Sequence, residues 1–242
     1  QQALLESRVL VIGAGGLGVP VLTYLASSGV GHRGKGHRGM GHLCVVDDDE
    51  IDLSNLPRQT LYRPSDVGQP KAQVVKQLLE QQNPDIDIQA EVRRADEAWL
   101  MQVLAEYDLL VDCTDNQTVR RAINRAAITH QRPWVSGSAI GMAGHVTSFD
   151  PRIEDVPCYA CLYPNDIQNP QHCSESGVLA PITGIIGTLQ ALEAIKLLIN
   201  QKVAGSNLPT LVGKLLNLDG QSSGFYPFKY TQNSQCQACR KA

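Results

Sequence analysis

The feature that most constrains this chain is a run of five residues, Arg8-Val9-Leu10-Val11-Ile12, followed at once by Gly13-Ala14-Gly15-Gly16-Leu17-Gly18. A short β-branched run reads as a buried parallel strand. The pattern G-x-G-x-x-G after a strand opens a helix. Its glycines let the backbone turn tightly and approach a phosphate, which the helix N-terminus attracts through free N–H groups and its dipole. That helix would carry Leu17, Val21, Leu22 and Leu25 on one face and stop at Gly29. An acidic residue is expected about 20 residues on, at the end of a second strand, to hold ribose hydroxyls. Asp47 closes the apolar run 43–46 and fills that place once a repetitive insertion is discounted.

The insertion reads Gly-His-Arg-Gly-Lys, Gly-His-Arg-Gly-Met and Gly-His over residues 31–42, with three of the six histidines. A metal or anion site is conceivable there. A tolerated loop is the better reading, because it falls at the N-terminal end of a strand, opposite the ligand edge of an open α/β sheet. Downstream, helices are predicted over about 71–82, 97–106 and 116–130, and strands near 86–90, 108–112, 133–136 and 145–149. This alternation predicts an α/β fold with a doubly wound, Rossmann-like, mainly parallel sheet. A long helix over about 183–198 and two late strands, near 211–218 and 225–230, complete the chain. Ile185, Leu189, Leu192, Ile195 and Leu198 recur near a helical period and predict that helix's core face. We read a single domain over 1–242, with a nucleotide-binding half of about 1–150 and a second part of about 151–242.

Composition narrows the function classes. Lys plus Arg is 21 and Asp plus Glu is 24, a net charge of −3, which argues against a nucleic-acid or polybasic membrane protein. At 43% hydrophobic and 19% charged, the 242 residues are not a disordered chain. The apolar stretch 181–200 contains Glu193 and Lys196, a poor membrane span. No secretory signal stands out, so a soluble cytoplasmic protein is expected.

Asp47-Asp48-Asp49-Glu50 leads into Ser54-Asn55-Leu56 and Arg58-Gln59, and Lys71 follows at a helix start. Hydride transfer needs no such set, because its cofactor's phosphates are spectators. Phosphoryl or nucleotidyl transfer does need cations and a metal near the developing charge. Cys113-Thr114-Asp115-Asn116 follows a strand C-terminus, where Asp115 could carry Mg²⁺. Singly, each of these is more often a solvated loop residue; on successive ligand-edge loops they converge. The seven cysteines do not suggest a disulfide framework. Cys158-x-x-Cys161 and Cys236-x-x-Cys239 suit a closed, tetrahedral, structural Zn²⁺ site; a redox role is the alternative. Cys44 and Cys113, in or beside strands, read as core thiols. Cys173 lies in a polar loop beside His172 and can be read as an exposed nucleophile or as a bystander.

Together Gly13 to Gly18, Ser54-Asn55-Leu56, Arg58-Gln59, Lys71, Cys113 to Asn116, the two Cys pairs, residues 177–181 and residues 187–196 resemble the ThiF/MoeB/HesA adenylyltransferases, relatives of the ubiquitin-activating enzymes. The resemblance implies ATP- and Mg²⁺-dependent adenylation of the Gly-Gly carboxylate of a ubiquitin-like sulfur-carrier protein, followed by thiocarboxylate formation, in thiamin or molybdopterin biosynthesis. It implies a homodimer and a separate sulfur donor protein. Residues 151–242 would then face the carrier. It assigns Gly13, Gly15, Gly16, Gly18, Asp47, Asp49, Ser54, Asn55, Leu56, Arg58, Lys71, Asp115 and Asn116 to the nucleotide. Gly16 and Asp47 would hold adenosine, while Asn55, Arg58 and Lys71 would contact phosphates. Arg58, Lys71, Asp115 and Cys173 would be catalytic; in the thiamin-pathway branch, a Cys at the position of Cys173 links covalently to the carrier. Two departures stand out. An Arg-Tyr-x-Arg-Gln signature that relatives carry before the first strand does not occur in this sequence, and Pro57 stands where relatives often have Gln. The rival readings are a non-catalytic carrier-binding scaffold and a nicotinamide- or flavin-binding oxidoreductase.

Overall fold

A computed structural model describes residues 1–32, 41–164 and 177–239. A single sheet of eight strands organises them: β1 (Arg8–Ile12), β2 (His42–Val46), β3 (Ile88–Glu91), β4 (Leu109–Asp112), β5 (Trp134–Ile140), β6 (Ala143–Phe149), β7 (Lys214–Asp219) and β8 (Gly224–Lys229). Their spatial order is β3-β2-β1-β4-β5-β6-β7-β8. The first five in that order run parallel, and β6, β7 and β8 continue as an antiparallel extension. The parallel part is what the alternation of apolar strands and helices predicts.

Strand β1 sits at the centre and shows why the sheet is buried on both sides. Val9 and Val11 join one core cluster and Leu10 and Ile12 the other, the period-2 alternation of a pleated strand with apolar residues on both faces. Helices α2 (Gly18–Ser27), α3 (Lys71–Gln82) and α7 (Ala180–Lys202) cover the first face. Helices α4 (Glu97–Val103), α5 (Gln117–His130) and α6 (Tyr159–Leu162) cover the second. A single turn, α1 (Gln2–Leu5), precedes β1. Helix α3 starts at Lys71 behind Pro70 and ends before Asn83-Pro84, where the residue before proline is pushed out of the helical region. Order reverses between β1 and β4, which leaves a crevice beyond their C-terminal ends. The 31–42 insertion enters β2 from the opposite edge, and its residues 33–40 lie outside the described residues.

Helix α7 corrects one sequence expectation. Its buried residues are Ile182, Thr183, Ile186, Gly187, Gln190, Ala191, Glu193, Ala194, Leu197 and Leu198. Ile185 and Leu192, expected in the core, are 39% and 52% exposed. The helix is apolar almost all round, so period alone does not choose its face. The choice falls to two polar residues that find partners inside: Gln190 donates to the Asp112 carbonyl at 2.7 Å, and Glu193 accepts from the Ser148 hydroxyl at 3.0 Å. By length and composition α7 is long and apolar enough to cross a membrane; here it packs on α2 and the sheet.

Candidate nucleotide site

The glycine loop is built by close approach. A Cβ on Gly18 would lie 1.9 Å from the Gly13 carbonyl oxygen, so only glycine lets the start of α2 fold back on the loop. Gly13 itself has φ of 98° and packs against the Cys113 carbonyl, where a Cβ would be 2.8 Å away. Gly18→Ala is therefore expected to abolish nucleotide binding, measured by calorimetry on protein with a wild-type melting temperature. Wild-type affinity would show that the loop has another conformation.

Around this loop opens a cavity of about 520 Å³. Gly13, Gly15 and Gly16 line it, and so do Asp47, Asp49, Asn55, Arg58, Lys71, Asp115 and Asn116. Gly18, Ser54 and Leu56 do not. Gly18 supports the loop from behind. The Ser54 amide is held by the Asp52 carboxylate at 2.8 Å, and Leu56 packs on the core.

Asp47 directly follows β2 and is tied to the glycine loop. Its Oδ2 accepts the Ala14 amide at 2.6 Å and its Oδ1 the Asp49 amide at 2.8 Å. Burial raises its pKa above the ordinary aspartate value, against the lowering effect of the Ala14 amide and of Lys71. Lys71 is the first residue of α3, with a side chain only 6% exposed, and its Nζ donates to Asp49 Oδ2 at 2.6 Å. Arg58 donates Nη2 to Asn55 Oδ1 at 2.7 Å and Nη1 to the Ser54 carbonyl at 3.2 Å. Both cations are thus held beside the glycine loop by acceptors from the 47–59 segment. Asn116 caps α5, its Oδ1 accepting the Thr118 and Val119 amides at 2.9 and 3.2 Å. Among the described residues, the exposed Asp115 carboxylate has no hydrogen-bond or ion-pair partner.

Several lining residues were not expected from the sequence. Gln59, part of the motif but given no role in the sequence, is 3% exposed and its Oε1 has no partner among the described residues. Arg93 and Arg94 line the cavity from the loop after β3, Arg93 over the Trp99 ring at 4.9 Å. Arg120 and Thr183 come from α5 and α7. A pair of arginines after a strand is a visible signal, whereas Thr183 arrives by a long-range contact with Gly16 that no local pattern announces.

The four paired cysteines meet beside the middle of α5, at Asn124. Their Sγ atoms all lie within 4.8 Å of one another, with Cys158–Cys236 at 3.7 Å, Cys161–Cys239 at 3.5 Å and Cys158–Cys161 at 3.9 Å. A tetrahedron with Zn–S bonds of about 2.3 Å has edges of about 3.8 Å, so the sulfurs stand at the spacing of an S₄ metal centre. The Asn233 amide points at Cys161 Sγ at 3.3 Å, the kind of contact that steadies a thiolate ligand. Cys44 and Cys113 are buried; burial pushes Cys44 up to about 11 and Cys113 well above its ordinary value, so both are poor nucleophiles. Cys173 lies outside the described residues.

Fold and cavity define the class: a doubly wound α/β domain with a crevice at its switch point, lined by a glycine loop, arginines and a lysine. The chain belongs to the ThiF family, which it matches over residues 1–238. It is 41% identical over 239 residues to the sulfur carrier protein ThiS adenylyltransferase of Escherichia coli (strain K12), spanning 99% of this chain and 88% of that protein. It is also 41% identical over 239 residues to the molybdopterin-synthase adenylyltransferase of the same organism, spanning 99% and 89%. Identity to the adenylyltransferase and sulfurtransferase MOCS3 of Anopheles gambiae is 39% over 245 residues, where this chain spans 52% of the longer protein. Among solved structures, Escherichia coli MccB with ATP superposes with a TM-score of 0.80 at 22% identity, over 98% of this chain and 68% of that one, a likeness of fold.

Proposed function

We propose that this protein uses ATP to adenylate the C-terminal Gly-Gly carboxylate of a ubiquitin-like sulfur carrier, as a homodimer served by a separate sulfur donor protein. A carboxylate oxygen attacks the α-phosphorus, the bond to the pyrophosphate leaving group breaks, and an acyl-adenylate forms. The observation that carries this reading is the convergence of Asn55, Arg58, Lys71 and Asp115 with the glycine loop on one cavity of about 520 Å³. Two relatives named as adenylyltransferases, each 41% identical across nearly the whole chain, support it. Arg58 and Lys71 would meet the charge that builds on the α-phosphate and the departing pyrophosphate. Asp47 would receive ribose hydroxyls. Asp115 is a hard oxygen donor open to the cavity and fits Mg²⁺, which would neutralise phosphate charge. Cys158, Cys161, Cys236 and Cys239 would hold Zn²⁺ as a structural ion.

The test is ATP–pyrophosphate exchange with thiamin-type and molybdopterin-type carriers at matched concentrations. Exchange with one carrier, lost when its Gly-Gly tail is removed, is the expected result and names the pathway. Silence with both in folded, metal-loaded dimer would overturn the enzyme in favour of the scaffold.

A further inference from the structure

In the wall of the cavity, where Arg120 lines it, lies a buried charge pair with no part in the chemistry above. Asp112 ends β4 with 0% exposure, where a carboxylate is tolerated only if its lone pairs are filled. Its Oδ1 accepts the Thr114 amide at 3.0 Å and the Thr114 hydroxyl at 2.7 Å. Its Oδ2 accepts Arg120 Nε at 3.0 Å and the Ser136 hydroxyl at 2.8 Å. Arg120, 8% exposed, donates Nη2 onward to the Gly137 carbonyl at 2.9 Å and to the Thr114 carbonyl.

Thr114 is therefore held at its amide, its hydroxyl and its carbonyl by one ion pair. That carbonyl belongs to the planar peptide joining Thr114 to Asp115, so its orientation sets where Asp115 starts. On the other side Asn116 is fastened to α5 as its cap. Stability alone does not account for the pair, because buried ion pairs are often no more stable than apolar residues of similar volume. What a guanidinium supplies and an apolar group does not is a rigid fork reaching two carbonyls and a carboxylate at once.

We propose that Arg120, anchored by Asp112, is a positioning residue that aims the Thr114–Asp115 peptide and so presents the Asp115 carboxylate to the nucleotide. This rests on the reading of Asp115 given above. Lysine at position 120 keeps the charge but not the fork.

The test compares Arg120→Lys with Asp115→Ala in the full chain with its carrier. For Arg120→Lys, the exchange rate should fall by about 10²-fold, the cost of a misplacement near 1 Å, while KM for ATP stays near wild type. Without ATP, amide hydrogen exchange over residues 113–116 should quicken, with no change over α3 on the other face of the sheet. Mn²⁺ binding in the presence of ATP, followed by electron paramagnetic resonance, should weaken. Wild-type rates in Arg120→Lys alongside an inactive Asp115→Ala would overturn the inference alone; wild-type rates in Asp115→Ala would overturn the reading beneath it. Should Arg120→Lys fail to fold, Thr114→Val removes one anchor and leaves the ion pair paired. It should lower the rate several-fold at unchanged thermal stability, and an unchanged rate would count against the proposal.

Discussion

Arg58→Ala is expected to lower carrier-dependent ATP–pyrophosphate exchange by about 10²–10³-fold, the usual loss when one well-placed stabiliser of transition-state charge is removed. Asp115→Ala should do the same. Both variants should keep the wild-type melting temperature, and the site explains why these two are the clean tests. Arg58 lies over a short turn and gives up only its bonds to Asn55 Oδ1 and the Ser54 carbonyl. Asp115 is exposed and, among the described residues, gives up none. Lys71 is different: its side chain is 6% exposed and paired to Asp49, so its loss would also strip Asp49 of that partner and mix stability with catalysis. In Arg58→Ala the loss should appear in kcat at least as much as in KM, because charge on the α-phosphate grows only as the pyrophosphate departs. Combining the two substitutions should cost less than the product of the single losses, since residues that act on one transition state are not additive. Exchange within a few-fold of wild type in either variant, with intact fold and metal content, would remove that residue from the reaction.

How much of this could be read from the sequence depends on whether a feature is local. The strand–glycine–helix unit was legible because each part is dictated by its neighbours: β-branched residues before the turn, glycine where a Cβ would sit 1.9 Å from a carbonyl, and an unbroken apolar run from Val9 to Ile12. Helix α3 was legible at both ends because Pro70 and Asn83-Pro84 leave little choice. The face of α7 was not. A helix with leucine or isoleucine on every side has several plausible stripes, and the burial of Gln190 and Glu193 depends on acceptors and donors in β4 and β6, strands far along the chain. Asp112 and Arg120 escaped notice for a related reason. Eight positions apart, one ends a strand and the other lies inside a helix, so their ion pair exists only once α5 has folded back over β4. Ser54 and Leu56 stand beside Asn55 in the motif but outside the cavity lining, because contiguity in sequence does not fix which side chains face a common space. In three dimensions Asn55 and Arg58 reach the cavity, while the Ser54 amide is capped by Asp52 and Leu56 packs on the core.

Chelating zinc from the proposed four-cysteine site is expected to lower the melting temperature by about 6–20 °C. Zinc bound by small peptide sites contributes an apparent free energy of about 10–16 kcal/mol. This chain has a core of its own, so we assign about a third of that, roughly 3–5 kcal/mol, at about 2–4 °C per kcal/mol for a chain of this length. Placement makes the loss propagate. Cys158 caps the single turn of α6 and Cys161 lies within it, and the turn's Tyr159, 2% exposed, packs against the stacked Trp134 and Phe149 rings. Asn124 of α5 ties that turn down, its Oδ1 accepting the Tyr159 amide at 3.0 Å and its Nδ2 reaching Cys158 Sγ at 3.8 Å. Cys236 and Cys239 bring the end of the chain, after β8, to the same point. Release of the ion would leave buried sulfurs crowded within 4.8 Å and free the C-terminal segment from α5. Cys236→Ser should reproduce the effect of chelation, and zinc added back should rescue the chelated wild type but not the variant. Because α5 begins at the Asn116 cap beside Asp115, exchange activity should fall with the metal while ATP affinity falls less. Fewer than half a zinc per chain by mass spectrometry in fully active protein, or a melting temperature indifferent to chelation, would dissolve the argument.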